Sequence, residues 1–261
     1  MKIGVTGITG RMGRTIASLV LQDSVTELTS GLSRKNSSED LGEFLGFEKT
    51  NTQTTSDLDF FVKSCDAIID FSSPALSLEV AKKCAELKKV MVCGTTGFSE
   101  NEKKEFAANA KDTVIIWSSN MSLGVNLLMN LAEKVAGILH EDFDVEIVEM
   151  HHKNKVDAPS GTALSLGAAV AQGRNIELQK NAVMARMGKD AKRNKGEIGF
   201  ATLRGGDVIG DHSVIFAGDG ERIELTHKAS NRDIFAKGAI RAAIWGSAKQ
   251  PGFYSMRDVL S

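Results

Sequence analysis

The chain has 261 residues, of which 42% are hydrophobic and 25% are charged, and its 32 basic and 33 acidic residues leave a formal net charge of −1. This length suits one large domain or two smaller ones, and the composition is that of a globular protein. The balanced charge gives no overall field that would attract nucleic acid or an anionic membrane, so neither is an expected partner. Three cysteines without a C-x-x-C pair, and no apolar run of 18 residues, argue against a disulfide framework and a membrane span. We therefore expect a cytoplasmic protein.

Short apolar runs alternate with helical patterns through the first half of the chain. The predicted strands are Lys2–Thr6, 25–32, 67–71, 90–93 and 114–117. The predicted helices are Arg11–Gln22, Pro74–Leu87 and a segment opened by a capping box of Ser99 and Glu102. Apolar strands separated by helices are typical of a parallel sheet covered on both faces, so we predict an α/β Rossmann-like nucleotide domain. Residues 37–55 are polar and show no interpretable pattern.

The pattern changes after about residue 122. A long amphipathic helix is predicted over Leu123–Leu139, and a helix of small residues over 162–171. The predicted strands are 145–150, 198–203, 213–217 and 222–226. Residues 145–150 (VEIVEM) alternate apolar and acidic side chains, which predicts that one face of this strand is exposed to solvent. We predict an α+β domain with a mostly antiparallel sheet. A last helix over 233–247 is expected to return to the first domain, which gives domains 1–122 with 232–261, and 123–231.

Three glycines follow the first predicted strand in the sequence GITGRMGR, residues 7–14. Gly7 is predicted to turn the chain, Gly10 to let backbone approach a ligand, and Gly13 to let the helix pack on the sheet. The N-terminus of the following helix suits a pyrophosphate. The spacing differs from G-x-G-x-x-G, but its place between a strand and a helix favours a dinucleotide site over a plain tight turn.

The end of the second predicted strand bears on which dinucleotide binds. Ser33, Arg34 and Lys35 stand about 20 residues after the glycines, where an acid holds the ribose of NAD and a base suits the 2′-phosphate of NADP. No carboxylate stands in that window. We predict that Arg34, with Arg11 or Lys35, pairs with a 2′-phosphate, so that NADPH is the favoured cofactor and NADH a weaker one. The alternative is a solvated charge cluster.

A second unusual stretch, EMHHKNKVDAPSGTA, spans residues 149–163. His151, His152 and Lys155 follow a predicted strand, and Gly161 and Thr162 open a predicted helix. The spacing lacks a metal-ligand set, so no metal is expected. Histidines suit acid–base chemistry or anion binding, Lys155 is a potential proton donor, and N–H groups at a helix start can bind a carboxylate. The pattern indicates a site for an anionic substrate; a basic solvated loop is the structural alternative.

Taken together, these blocks resemble those of one known family. The chain closely resembles bacterial 4-hydroxy-tetrahydrodipicolinate reductase, also called dihydrodipicolinate reductase, a family of lysine and diaminopimelate biosynthesis. The resemblance covers nearly the whole chain through GITGRMGR, DFSSP, VCGTTGF, SSNMSLGVN, HHKNKVDAPSGTA, GFATLRGGDVIGDHSV and ERIELTHKASNRDIFAKGAIRAA. The block HH-x-x-K-x-D-x-P-S-G-T-A is its most specific part.

The resemblance implies both a fold and a set of site residues. It implies a Rossmann domain, an α+β substrate domain, a homotetramer joined through the second domain's sheet, and a small cyclic dicarboxylate substrate. It implies that His151 donates and accepts a proton, that Lys155 donates one, and that His152, Gly161 and Thr162 bind substrate. The cofactor-binding residues that it implies are Gly7, Ile8, Thr9, Gly10, Arg11 and Met12; Gly94, Thr95 and Thr96; and Ser118, Ser119, Asn120 and Met121.

Two observations bear on the details of this resemblance. Many family members carry Glu-Arg where this chain has Ser33 and Arg34, which again favours NADPH. Two rival functions remain: another NADP-dependent amino-acid or semialdehyde dehydrogenase of the same architecture, and a non-catalytic NADP sensor. The intact pair of His151 and Lys155 weighs against the sensor, because a sensor needs no proton donor.

Overall fold

The computed structural model describes residues 1–34 and 40–261, which divide into two compact units. The first unit contains Met1–Leu123 and Arg232–Ser261, and the second contains Gly124–Asn231. The C-terminal segment therefore belongs to the unit that begins the chain. None of the helices in the described ranges is both long enough and apolar enough to cross a membrane.

Strands and helices alternate through most of the chain. The strands are β1 Lys2–Thr6, β2 Glu27–Leu32, β3 Thr54–Thr55, β4 Ala67–Asp70, β5 Val90–Cys93, β6 Val114–Trp117, β7 Asp144–His151, β8 Ala182–Val183, β9 Ile198–Arg204, β10 Gly210–Gly218, β11 Glu221–Ala229 and β12 Gly252–Tyr254. The helices are α1 Arg11–Gln22, α2 Leu41–Leu45, α3 Leu58–Lys63, α4 Pro74–Leu87, α5 Glu100–Ala108, α6 Leu123–Leu139, α7 Gly161–Gly173, α8 Leu178–Asn181, α9 Asp233–Gly246 and α10 Met256–Leu260.

The first unit is built on a parallel sheet with strand order β3-β2-β1-β4-β5-β6-β12. The chain runs outward in one direction from β1 to β3 and then in the other from β4, so the order reverses beside β1. Ligands of such sheets bind outside the carboxyl ends of the strands at this reversal. One apolar core contains residues of α1 and α9, such as Ile16 and Ala239, and a second contains Phe61 of α3 and Phe106 of α5. The predicted Rossmann-like fold is confirmed.

The second unit is built on a mixed sheet with strand order β11-β10-β7-β9-β8. The pairs β10–β11 and β7–β10 are antiparallel, whereas β7–β9 and β8–β9 are parallel. The expected antiparallel character therefore holds for one side of β7. β9 follows a long connection from β7 that includes α7 and α8, and such a connection allows parallel pairing. Side chains of α6, α7 and the sheet, including Leu128, Leu166 and Ile147, form one core.

The prediction that the acidic side chains of β7 face solvent is wrong for Glu149. Side chains along a strand alternate between faces, so Glu146 and Glu149, three residues apart, point to opposite sides. Glu149 lies on the buried face with Val145, Ile147 and His151 and is 1% exposed. Apolar and acidic residues do not alternate strictly in VEIVEM, because two apolar residues stand between the acids. This irregularity places the Glu149 carboxylate in the interior.

Asp40 organises part of the segment that showed no pattern in the sequence. Its side chain caps α2 and accepts hydrogen bonds from the backbone N–H groups of Gly42, Glu43, Thr50 and Thr52. Burial raises the pKa of this carboxyl, but the hydrogen bonds outweigh it and lower the pKa to about 2. One acid therefore joins α2 to residues 50–52, which lead into β3.

Candidate active site

The glycine turn connects β1 to α1 where the strand order reverses. Gly7 has a φ of +60°, in the left-handed region that glycine adopts freely. A Cβ built at Gly13 would lie 2.2 Å from the Gly7 carbonyl oxygen, so α1 packs on the turn at a distance that requires glycine. Gly10 is the N-cap of α1 and offers no capping side chain, so none competes with a ligand for the first N–H groups of the helix. These features fit a bound pyrophosphate.

A cavity of about 640 Å³ opens beside this turn. Its lining residues come from the turn, the end of β2 and the start of α4, and include Gly7, Thr9, Gly10, Ser33, Arg34, Phe71, Ser72 and Glu79. Arg34 is exposed in this cavity, in the position that distinguishes NADP from NAD in such domains. Lys35, the other base predicted there, lies outside the described residues.

Two smaller cavities adjoin the other predicted cofactor loops. Ser118, Ser119, Asn120 and Met121 line a cavity of about 290 Å³ together with Arg11, Met12, Phe71, Arg232 and Phe235. Gly94, Thr95 and Thr96 line one of about 280 Å³ together with Gly10, Arg11, Met12, Phe71 and Ser72. The predicted loops therefore meet at the carboxyl edge of one sheet. Ile8 differs, because its side chain is fully buried in the core.

Asp70, the last residue of β4, lies fully buried beneath these loops. Five side chains donate hydrogen bonds to its carboxylate: Thr6, Ser72 (2.6 Å), Ser77 (2.5 Å), Thr95 (2.8 Å) and Cys93 (3.3 Å). The Ser72 N–H in turn donates to Thr95 Oγ1 at 2.9 Å. This carboxylate fixes the ends of β1, β4 and β5, and the predicted cofactor loops 7–12 and 94–96 follow β1 and β5.

In the second unit, His151 ends β7 and lies in a polar network on the buried face of the sheet. Its Nδ1 lies 2.5 Å from Glu149 Oε2. The Arg204 guanidinium donates to both oxygens of Glu149, at 2.8 and 3.0 Å, and the Ser160 N–H donates to Oε1 at 3.1 Å. Burial lowers the pKa of His151 and outweighs the raising effect of Glu149. A histidine that is mostly neutral near pH 7 is suited to exchanging a proton.

The remaining predicted substrate residues lie on the loop after β7 and on the first turn of α7. His152 is partly exposed, and its N–H donates to the Val208 carbonyl. Lys155 Nζ forms an ion pair with Asp157 Oδ1 at 2.8 Å. Ser160 is the N-cap of α7, and a Cβ added at Gly161 would meet no atom within 4 Å, so the helix start is open there. The structure therefore places the five predicted residues on one strand end, one loop and one helix start.

His212 of β10 stacks edge-to-face on His151, with ring centroids 5.1 Å apart. Its Nε2 lies 3.0 Å from Ser160 Oγ. Burial and the neighbouring His151 lower the pKa of His212 to about 4, so its ring is neutral. The burial of His212, which is 4% exposed, supports a structural role.

Two family models describe this chain from end to end. Residues 1–121 match the model described as "Dihydrodipicolinate reductase, N-terminus", and residues 124–260 match "Dihydrodipicolinate reductase, C-terminus". The chain belongs to the dihydrodipicolinate reductase family. The predicted resemblance is thereby confirmed, and the chain is an oxidoreductase. A reductase needs a hydride donor, and the family's N-terminal domain is a pyridine-nucleotide-binding domain, which fits NAD(P)H.

Individual relatives of the reductase family match over their full length. The chain is 48% identical to the 4-hydroxy-tetrahydrodipicolinate reductase of Beijerinckia indica and 50% identical to that of Bartonella tribocorum. Both matches cover 100% of this chain, and 97% and 98% of the relatives. A solved structure of dipicolinate-bound dihydrodipicolinate reductase from Paenisporosarcina sp. TG-14 is similar in fold, with a TM-score of 0.75 and 24% identity over 98% of this chain and 97% of that one.

The sequence analysis did not predict several residues that lie in these two candidate sites. Glu149 and Arg204 contact each other from neighbouring strands 55 residues apart in the chain. Val145 and Ile147 are apolar and two positions apart on β7, and the same spacing places Glu149 on their buried face. Arg232 and Phe235 line the cavity beside Met121 only because the C-terminal segment returns to the first unit, and no local pattern predicts that contact.

Proposed function

We propose that this chain reduces 4-hydroxy-tetrahydrodipicolinate to tetrahydrodipicolinate with NAD(P)H, a step of lysine and diaminopimelate biosynthesis. The observation that carries the proposal is identity of about half of all residues to reductases of that name, over the full length of both chains. The reaction takes up one hydride and one proton and releases one water. A bound nicotinamide dinucleotide supplies the hydride, and the protein must bind the dicarboxylate and deliver the proton.

The first unit is the proposed cofactor domain. Backbone N–H groups of Gly7 to Met12 would hold the pyrophosphate, as the uncapped start of α1 allows. The loops Gly94 to Thr96 and Ser118 to Met121 would lie nearer the nicotinamide, and they are held in place by Asp70 and by a hydrogen bond from Trp117 Nε1 to the Thr95 carbonyl at 3.0 Å. Fixed loops orient the cofactor without reorganisation at the moment of reaction.

The second unit is the proposed substrate domain. Gly161 and Thr162 begin α7, whose first-turn N–H groups and positive dipole end favour a carboxylate. His152 and Lys155 add donors and positive charge on the adjoining loop, which suits a substrate with two carboxylates. His151 is the proposed proton donor and acceptor, and Lys155 a proposed donor. No metal enters this proposal.

NADPH is the proposed preferred nucleotide, with NADH a weaker one. Arg34 supports this preference because it is exposed in the 640 Å³ cavity at the end of β2, where a 2′-phosphate lies in domains of this fold. We expect Arg34→Ala to weaken NADPH binding about 10-fold, the effect of a charge-assisted phosphate contact, and to leave NADH binding within about twofold. Calorimetric titration of both nucleotides measures this. Equal weakening of both nucleotides would remove Arg34 from the basis of the preference.

An activity assay with three classes of substrate tests the function. NADPH oxidation is followed with the freshly made condensation product of pyruvate and aspartate semialdehyde. It is followed separately with open-chain compounds that another dehydrogenase could reduce, namely 2-oxo acids with ammonia, and semialdehydes. We expect oxidation with the cyclic dicarboxylate alone. Oxidation with the open-chain compounds alone would favour another dehydrogenase. Nucleotide binding without oxidation of any kind would favour a sensor.

Assembly and location complete the proposal. We propose a homotetramer joined through the second unit's sheet, because β11 is an exposed edge strand and the same sheet carries the exposed apolar residues Leu203 and Ile223. A solution mass of one chain by light scattering would contradict the proposed homotetramer.

We propose a cytoplasmic location. It suits the three free, buried cysteines, whose thiol pKa values are raised by burial.

A further inference from the structure

Glu149 is a buried acid with partners on β7, on β9 and at the start of α7. It is 1% exposed on the inner face of β7. Arg204 contacts both of its oxygens from β9, the Ser160 N–H reaches it from the start of α7, and His151 Nδ1 lies 2.5 Å away. The carboxylate therefore joins two strands and the N-terminus of the substrate-binding helix to the proposed proton donor.

The charge state of Glu149 decides which nitrogen of His151 carries a proton. Burial raises the pKa of Glu149, but hydrogen bonds from Arg204, His151 and Ser160 outweigh it and lower the pKa below its usual value. An ionised carboxylate accepts hydrogen bonds and donates none. His151 Nδ1 must therefore be the donor, and in the neutral ring Nε2 is left without a hydrogen.

The opposite edge of the His151 ring faces a glycine. A Cβ added at Gly210 would lie 2.9 Å from His151 Nε2, closer than such contacts occur in proteins. Glu149 prevents the ring from turning away, because rotation breaks the bond at Nδ1. Glycine at position 210 thus keeps room at Nε2, the nitrogen that Glu149 leaves free to take up or release a proton.

We infer that Glu149 is a positioning residue that holds His151 in the Nδ1–H form, with Nε2 as the atom that exchanges a proton with the substrate. The inference rests on the proposed role of His151 in the proposed function. Arg204 extends the same network, since its Nη2 also donates to the Asp157 carbonyl at 2.6 Å and Asp157 pairs with Lys155. Glu149 and Arg204 therefore connect both proposed proton donors to the sheet.

The charges around His151 fix the sign of the expected pH effect. Glu149 raises its pKa, whereas Lys155 and Arg204 lower it, and the neutral His212 packs on the ring from β10. Glu149→Gln removes the one raising group and so lowers the pKa of His151. If protonated His151 donates the proton, the fall of kcat at high pH then begins at a lower pH than in the wild type.

The test compares Glu149→Gln with Glu146→Gln, an acid on the same strand that pairs with Arg186 and Arg193 and does not contact His151. We expect Glu149→Gln to lower kcat at least ~10-fold, to leave NADPH affinity within about twofold, and to shift the high-pH limb downward. Glu146→Gln should keep the wild-type pH profile. Loss of activity in Glu149→Gln with an unshifted limb would overturn the inference.

A measurement on the unaltered protein covers the case in which Glu149→Gln fails to fold. Nitrogen-15 NMR of the imidazole rings, with His151 assigned through His151→Gln, reports which ring nitrogen carries the hydrogen. We expect Nδ1–H and a bare Nε2 at neutral pH; an Nε2–H ring would overturn the inference. This experiment needs no turnover, so it separates failure of the inference from failure of the proposed function. Gly210→Ala should lower kcat while NADPH affinity is kept.

Discussion

At the scale of single residues, two buried acids support the two sites in the same way. Asp70 and Glu149 are each at most 1% exposed, and each accepts hydrogen bonds from several segments that carry proposed site residues. A buried polar group that is fully satisfied stabilises one arrangement of its neighbours, because every alternative leaves a donor unpaired. Precise loops can thus be held by residues that never touch a ligand.

Asp70→Asn tests this role in the first unit. The amide replaces an acceptor with a donor that faces hydroxyl and thiol donors, so we expect a loss of about 1–3 kcal/mol in unfolding free energy. We also expect weaker NADPH binding, because Ser72 and Thr95 lose their fixed position. Urea unfolding and calorimetry measure the two effects. Asp66→Asn, which changes an exposed acid just before the same strand, is the matched control, because an amide oxygen can still accept the hydrogen bond that Asp66 receives from the Lys2 N–H. Unchanged nucleotide affinity in Asp70→Asn would argue against loop positioning.

His212 gives the second unit a pH-dependent stability. Burial lowers its pKa to about 4 from 6.5, with smaller effects from His151, Glu149, His227 and Lys155. Between pH 6.5 and 4 the unfolded chain binds the proton more readily, so stability falls as the pH drops, by up to about 3 kcal/mol from this residue.

We expect His212→Gln to lose less stability than the wild type on acidification through this window. Urea unfolding at several pH values measures the slope, and His140→Asn, which changes an exposed histidine, should keep the wild-type slope. Parallel slopes for His212→Gln and the wild type would show that the proton binds elsewhere.

At the scale of secondary-structure elements, segments with an apolar run or an amphipathic pattern were predictable, and segments without one were not. Helices α1, α4 and α6 and strands β1, β5 and β6 begin and end where the sequence patterns predict. Helix α2 and strands β3 and β12 show no such pattern in the sequence, and their positions depend on tertiary contacts such as the hydrogen bonds to Asp40. Glu149 was predicted to face solvent because Glu146 and Glu149, three positions apart, were assigned to the same face of β7.

Helix α9 shows how an element from the end of the chain shapes a loop near the middle. A Cβ built at Gly238 would lie 1.8 Å from the carbonyl oxygen of Met121, so the helix touches the proposed nicotinamide loop backbone to backbone. No pattern within residues 233–247 predicts this contact, since glycine in a helix reads locally as a weakness.

Gly238→Ala should therefore displace the Ser118 to Met121 loop. We expect a loss of about 1–3 kcal/mol or more in unfolding free energy, the usual cost of overpacking, together with weaker nucleotide binding. Lys237→Ala, on the exposed side of the same helix, should change neither. Thermal unfolding with and without NADPH compares the variants. A Gly238→Ala protein of wild-type stability would contradict the close packing.

At the scale of the whole molecule, two units carry two kinds of site. The unit with the parallel sheet contains the glycine turn and the proposed cofactor loops, and the unit with the mixed sheet contains His151 and the start of α7. The fold class and the family followed from the sequence because the glycine turn and the HHKNKVDAPSGTA block are local and specific. The supporting acids did not, since they have partners up to 64 residues away in the chain, which reach them only on folding.

The central claim is that this protein passes a hydride from a nicotinamide to a cyclic dicarboxylate. NADPH carrying deuterium at the transferable position of the nicotinamide, supplied with the condensation product of pyruvate and aspartate semialdehyde, tests it by mass spectrometry of the product. We predict one deuterium in the ring dicarboxylate formed by the wild type, and far slower labelling by His151→Gln and Lys155→Ala at unchanged NADPH affinity. A protein that binds NADPH and forms no labelled dicarboxylate would contradict the account.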